Sequence, residues 1–274
     1  MKLKQALKKK LTKKELDLVR ASFDVVGSIA IIEIPDELVK KQKIIAKEVL
    51  NLNPSIRTVL KKSGIHYGEY RRQKMVYLAG EKTKITEHRE SGVRILLDVE
   101  KCYFSSRLGT ERLRIAAQIR PKEKILVMFS GVAPYPLVFA KNSGADVIYG
   151  AEKNPVAHDF AERNVLLNKF WSKIRLIRGD VRQVCPLINK KFNRILMPMP
   201  KTAEEFLPVA FSSAKKGSVI HYYDFGKQEE FKLLRDKIKN ACTRAKKKCR
   251  ILRTVKCGNY SPGVFRVCID FKIL

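Results

Sequence analysis

The stretch KILVMFSGVAPYPLVFAKNSGADVIYGAEKN, Lys124 to Asn154, decides how this chain is read. Ile125-Leu126-Val127-Met128-Phe129 is an unbroken apolar run, the pattern of a buried strand. It meets a glycine-containing turn, Ser130-Gly131-Val132-Ala133-Pro134. An apolar helical pattern follows from Tyr135 to Asn142, and Gly144 closes it. A second strand, Asp146 to Gly150, ends in Ala151-Glu152. These pieces predict one βαβ unit, with a glycine at the first turn and an acid after the second strand. Gly131 and Glu152 are roughly 20 residues apart, the spacing at which a carboxylate in such a unit takes a ribose diol. The stretch therefore predicts a nucleoside-bearing cofactor. A plain α/β domain whose Glu152 is a solvated strand-end residue would show the same pattern.

The turn is not a dinucleotide fingerprint. G-x-G-x-x-G would place several glycines under a pyrophosphate. Here Ala133 stands at the second glycine position, followed by Pro134. The loop passes close to a ligand at Gly131 but offers few N–H groups to a phosphate. A cofactor without phosphates, such as S-adenosylmethionine, suits it better.

The chain has 274 residues, enough for one large domain or two modest ones. Its formal net charge is +30 and its pI near 10.0. Such an excess suits a polyanion, with binding made salt-sensitive by counterion release. Lysines at Lys8 to Lys14 and Lys246 to Lys248 also read as solvated helix faces. Arginines beside the predicted site favour nucleic acid. The six cysteines form no C-x-x-C, and the four histidines show no ligand spacing. Neither structural zinc nor a disulfide framework is expected. No secretory or membrane-spanning run is apparent, so a cytoplasmic, reduced protein is expected, with no demand for a partner subunit.

In chain order, Met1 to about Arg20 reads as a basic, leucine-spaced helical segment. Residues 22–99 read as a small α+β domain. It comprises an apolar β pattern to Pro35 broken at Gly27, a helix capped by Asp36-Glu37 and running to about Leu50, and strands at Ile56–Lys62 and Arg71–Leu78. A strand pair around Ser91-Gly92 completes it. A boundary is expected near Val99 to Tyr103. Residues 100–274 open with a loop leading to a helix that Thr110 can cap. After the βαβ unit come a helix at Pro155–Leu167 and a strand at Ile174–Arg178, ending in Gly179-Asp180. A linking stretch leads to a strand at Arg194–Met197, running into Pro198-Met199-Pro200. A helix at Ala203–Lys215, a strand at Ser218–Tyr223, a basic helix at Gln228–Lys248 and two last strands follow. Alternating strands and helices with a closing antiparallel hairpin predict a doubly wound α/β sheet.

Ligands of such sheets collect at the carboxyl ends of the strands. Gly131, Glu152, Asp180 and Pro198 all fall at predicted strand ends. Glu152 would accept the ribose hydroxyls and Asp180 the adenine amino group, although Asp180 also reads as a turn residue after Gly179.

Arg107-Leu108-Gly109-Thr110-Glu111-Arg112, the Gly131 turn, Pro198-Met199-Pro200-Lys201, Glu204-Glu205-Phe206-Leu207 and His221-Tyr222-Tyr223 together resemble the archaeal and eukaryotic tRNA guanine-37 N1-methyltransferases. Gly68-Glu69-Tyr70-Arg71 and His88-Arg89-Glu90-Ser91-Gly92 resemble that family's second domain. The resemblance covers about residues 22 to 274. It implies a class I methyltransferase (Rossmann-like) fold, S-adenosylmethionine as methyl donor, and a flipped purine in the tRNA anticodon loop as substrate. It further implies Glu111 as general base and Arg71 as the contact to the base's carbonyl oxygen. Arg107 and Phe129 would line the methionine end of the cofactor, with Arg112 and Pro200 on the substrate side. The chemistry agrees: methyl transfer to a ring atom needs in-line approach, a base for the ring proton, and a cation near the carbonyl. On residue spacing alone, Arg107 and Glu111 would also make an ordinary surface pair.

Three departures stand out. The family's N-terminal shape-checking domain has no counterpart ahead of Ser22, which implies action on tRNA already marked by another enzyme. The acid usual in the first strand is Val127. The family's Asn-x-Pro is Pro198-Met199-Pro200, and proline has no side-chain donor. Pro-x-Pro resembles the archaeal wyosine branch, which methylates C7 of 4-demethylwyosine, alone or in addition to guanine N1. A sister family transfers the aminocarboxypropyl group of the same cofactor and resembles this chain in architecture, but Arg107 to Arg112 and Pro134 are similar to the methyltransferases. A non-catalytic RNA-binding protein keeping the fold is the other reading, to which Val127 and Ala133 lend support.

Overall fold

The computed structural model describes residues 2–200 and 202–274. The chain divides into two compact units. One comprises residues up to Glu90 together with Arg94–Ser106; the other comprises Ser91–Val93 and Arg107–Leu274.

The first unit opens with two short helices, α1 (Lys2–Leu7) and α2 (Lys13–Leu18). Thr12 caps α2 in a reciprocal box with Glu15, satisfying two otherwise orphaned backbone donors. The leucine spacing here serves packing. Leu3, Leu7, Leu11 and Val19 are buried in one core with Leu38, Ile45, Val49 and Val59. The basic segment is thus built into this unit, its lysines on the outside. Strands β1 (Asp24–Val26) and β2 (Ile29–Ile32) turn at Gly27. Gly27 takes φ +54, and a Cβ there would meet Thr86 Oγ1 at 2.3 Å. A 3-10 turn at Asp36–Lys41 leads to α3 (Gln42–Leu52), then β3 (Thr58–Tyr67) and β4 (Arg72–Gly80). The sheet order is β1-β2-β3-β4, with β2 and β3 parallel across the α3 crossover. Strand β3 continues past Lys62 through Gly64, and the chain reverses at Gly68 to Arg71. Strands β5 (Ile85–Glu90) and β6 (Val93–Asp98) pair around Ser91-Gly92 as predicted.

The second unit contains α4 (Gly109–Ala116), β7 (Lys124–Met128), α5 (Pro134–Asn142), β8 (Val147–Glu152), α6 (Pro155–Leu167), β9 (Ile174–Arg178) and α7 (Val181–Leu187). Then come β10 (Phe192–Met197), α8 (Leu207–Ser213), β11 (Ala214–Gly226), α9 (Phe231–Arg244), β12 (Cys249–Ser261) and β13 (Val264–Ile273). The sheet order is β12-β13-β11-β10-β7-β8-β9. Strands β11, β10, β7, β8 and β9 are parallel, and β13 enters antiparallel beside β11. This is the doubly wound sheet with a closing hairpin. Leu126 and Met128 point into a core with α7, α8 and α9, while Ile125 and Val127 face the other way, and all four are fully buried. Burial on both faces is why β7 reads as a continuous apolar run.

Three local expectations change. Thr110 lies inside α4; the N-cap position is Leu108, which makes no side-chain cap. The stretch after Asp180 is the helix α7, hidden in the sequence by Pro186 inside it. Strand β11 begins at Ala214, so Lys215 and Lys216 extend the strand instead of ending a helix.

Candidate cofactor and catalytic site

The strand order reverses between β8 and β10, on either side of β7, so the switch point lies at the carboxyl end of β7. The loop there alternates in hand: Phe129, Gly131 and Ala133 take φ 56, 57 and 66. Two of the three are not glycine, and each such residue costs of order 1–3 kcal/mol, a strain that concentrates at ligand sites. Pro134 and Pro136 remove two N–H groups from the first turn of α5. The helix start is therefore a poor phosphate cradle, as the sequence indicated.

Backbone hydrogen bonds tie the strand tips into one edge. Ser130 N donates to Ala151 O at 2.9 Å, and Gly179 N donates to Glu152 O at 2.9 Å. The Glu152 carboxylate accepts from Gly131 N at 2.7 Å and from Asn154 N at 2.7 Å. Burial pushes its carboxyl up, and the backbone donors only partly offset this. With the backbone of Lys153 as a third donor, part of the carboxylate's acceptor capacity is still unspent. Ser130 Oγ is buried and, among the described residues, has no hydrogen-bond partner.

Asp180 caps α7 through Arg182 N at 2.9 Å. The Arg182 guanidinium grips its other oxygen at 2.6 Å, and Lys153 Nζ lies 3.3 Å away. Arg182 holds the Asp180 carboxyl well below the usual carboxylate range. Asp180 thus has fewer acceptor positions left than Glu152, and its turn-residue reading accounts for most of its contacts. Phe129 packs edge-on against Phe206 at 4.8 Å, and Arg182 lies 5.2 Å over the Phe206 ring. Phe206 and Arg182 join the row, although no sequence pattern assigns a role to either side chain. Pro198 and Met199 are partly buried at the end of β10, and Pro200 is buried. Met199 N donates back to Met197 O at 2.8 Å. Lys201 lies outside the described residues.

Glu111 sits in the first turn of α4. It is 5% exposed, so it is not part of a surface pair. Arg114 grips it with Nε at 2.6 Å and a terminal nitrogen at 2.8 Å, and Tyr223 OH donates at 2.6 Å. Tyr135 OH donates to Tyr223 OH at 3.2 Å. Arg112 is almost fully buried, its guanidinium 5.7 Å from the Tyr135 ring centroid. Arg107 is exposed in the 3-10 turn before α4. Arg71 belongs to the first unit, at the β3–β4 turn, with φ 51 and its guanidinium 4.7 Å from the Tyr103 ring centroid. The second unit therefore brings Gly131, Glu152, Asp180, Pro198 and Phe129 to one sheet edge, with Glu111 on α4.

Residues 86–252 match the family described as the TRM5/TYW2 methyltransferase domain. The chain belongs to the TRM5/TYW2 methyltransferase family. Residues 3–83 match the TYW2 N-terminal domain. The chain is 37% identical to the tRNA (guanine(37)-N(1))-methyltransferase Trm5b of Pyrococcus abyssi, over 92% of this chain and 74% of that one. The crystal structure of that protein superposes with TM-score 0.87 at 36% identity, covering 96% of this chain and 78% of the other. The tRNA 4-demethylwyosine(37)-methyltransferase Taw21 of Saccharolobus solfataricus is 32% identical over 73% of this chain and 76% of its own length. A tRNA(Phe) (4-demethylwyosine(37)-C(7)) aminocarboxypropyltransferase of Pyrococcus horikoshii is 31% identical over 99% of this chain and 96% of its own.

The protein is thus a TRM5/TYW2 enzyme, a methyltransferase that uses S-adenosylmethionine. Its residues fit that cofactor. The phosphate-poor loop, the spare acceptor positions of Glu152 and the unsatisfied Ser130 hydroxyl suit a neutral nucleoside. Among the described residues, no helix is long and apolar enough to cross a membrane.

Proposed function

We propose that this enzyme methylates the purine at position 37 of the tRNA anticodon loop, acting on C7 of 4-demethylwyosine, with or without activity on guanine N1. The family and its position-37 relatives support the coarser part. The C7 reading rests on Pro198. At the β10 tip, where an asparagine would offer an amide to a guanine edge, Pro198-Met199-Pro200 offers no side-chain donor. The tricyclic base lacks guanine's N1–H edge and has less need of one.

S-adenosylmethionine, when bound, supplies a methyl group on a sulfonium. Glu152 accepts from the ribose hydroxyls, and the Phe129 region lines the methionine end. Attack by a ring carbon leaves a proton on that carbon, and Glu111 removes it. Arg71 keeps its proposed role toward the carbonyl oxygen of the base, where a cation stabilises developing charge. The net charge of +30 suits the polyanionic substrate.

Incubation with methyl-labelled cofactor and two tRNAs, one bearing guanine and one bearing 4-demethylwyosine at position 37, tests this. Label on the tricyclic base supports the proposal; label on guanine alone refutes the carbon assignment. The Trm5b likeness favours guanine N1 as the second reading. A product heavier by an aminocarboxypropyl group would instead align the chain with its Pyrococcus horikoshii relative.

A further inference from the structure

Behind Glu111 a line of buried polar groups crosses the second unit. Arg194 on β10 donates through Nε to Glu123 at 2.8 Å and through a terminal nitrogen to His221 Nε2 at 2.7 Å. A guanidinium can only donate, so His221 Nε2 must accept, and its proton sits on Nδ1. His221 Nδ1 then donates to Asp270 Oδ1 at 2.6 Å. Asp270 Oδ2 accepts from Arg114 at 2.7 Å, and the same guanidinium grips Glu111. Burial lowers the His221 pKa, which agrees with a neutral imidazole between two arginines.

We infer that Asp270 and His221, held by Arg194, are positioning residues that fix how much of Arg114 is available to Glu111, and so set its strength as a base. The inference rests on the proposed role of Glu111. Three carboxylates, Glu123, Asp270 and Glu111, share two guanidiniums, Arg194 and Arg114. Glu111 lies at one end of the line, so when it takes up a proton Arg114 stays paired with Asp270. Were Arg114 devoted to Glu111 alone, the carboxylate would be a weaker proton acceptor.

Other groups surround this line. Arg112 is on the same helix as Glu111, Tyr135 on α5, Tyr223 on β11, Cys257 on β12, and Cys268 and Asp270 on β13. Cys268 Sγ donates to Asp270 Oδ1 at 3.2 Å. The ligand atoms of His221, Cys268 and Asp270 lie within 4.8 Å of one another. Two guanidiniums bond to that group, so it makes a poor cation site.

The test is the pH profile of single-turnover methyl transfer, on whichever tRNA the enzyme methylates. Tyr223→Phe removes one donor from ionised Glu111 and should move the acid limb up by about one pH unit. Asp270→Asn frees Arg114 for Glu111 and should move the limb down by about one unit. Tyr223 makes no hydrogen bond to His221, so the upward shift separates Glu111 from titration of His221. Tyr223→Phe assigns the limb to Glu111, and Asp270→Asn tests its control through Arg114. If Asp270→Asn does not fold, His221→Gln replaces it: losing the Nδ1 donor makes Asp270 lean more on Arg114, and the limb should move up. A limb unmoved by Asp270→Asn or by His221→Gln, with Tyr223→Phe shifted and Glu111→Gln inactive, overturns the inference and leaves the role of Glu111 standing. Retained turnover in Glu111→Gln overturns that role itself.

Discussion

Glu152, the last residue of β8, accepts a 2.7 Å hydrogen bond from the backbone N–H of Gly131, in the loop after β7. This one bond joins the glycine and the acid of the βαβ unit. It also fixes the carboxylate at the switch point of the sheet with part of its acceptor capacity unspent.

The apolar face of the N-terminal helices should matter for stability. Leu7 is fully buried among Leu38, Ile45 and Val49. Leu7→Ala should destabilise the protein by about 2–5 kcal/mol. Urea unfolding would show this as a lower midpoint with an unchanged slope. Less than about 0.5 kcal/mol would mean the segment only coats the surface.

The same segment carries exposed lysines, Lys8 and Lys9 in the turn after α1 and Lys13 and Lys14 in α2. Replacing them with alanine should weaken tRNA binding across all sequences. It should also flatten the slope of log affinity against log salt, by up to about one unit for each phosphate no longer neutralised. An unchanged slope would remove these lysines from the RNA interface.

His221 sets an acid limit on the second unit. Its folded pKa is lowered by burial, so below the unfolded value, near 6.5, the unfolded chain binds the extra proton first. Stability from this group is complete above about pH 6.5 and declines as pH falls below it. Asp270 adds a second loss. Burial raises its carboxyl, but the hydrogen bonds from His221 and Arg114 outweigh this and hold it below the usual carboxylate range. Its contribution persists until pH falls below about 4. Melting temperature should therefore drop in two stages on acidification. His221→Asn should remove the upper stage; a wild-type melting temperature flat from pH 7 to about pH 5 would contradict the assignment.

Much of this was legible in the chain. The apolar run of β7, Gly131, Glu152 and the full span of α6 follow from periodicity and turn chemistry. The line behind Glu111 was not. His221 and Asp270 face each other only because β11 and β13 pair in that register, 49 positions apart in sequence. Arg114 reaches Asp270 across 156 positions. No local pattern encodes such a meeting. Helix α7 was hidden for a different reason: Pro186 lies inside it and cannot donate a backbone hydrogen bond to residue i−4, so the sequence reads as a helix break. The contact of Arg182 with the Phe206 ring was not legible, because an arginine lying on a ring depends on how two segments fold back, not on spacing.

The central claim is that the carboxylate at the β8 tip holds the nucleoside of S-adenosylmethionine. Calorimetric titration of the cofactor into the wild-type chain and into Glu152→Ala tests it directly. Loss of hydrogen bonds to a charged group, each about 1.5–3 kcal/mol, predicts at least a tenfold weaker Kd for Glu152→Ala, with folding intact by circular dichroism. Equal affinity in the two proteins would contradict the account.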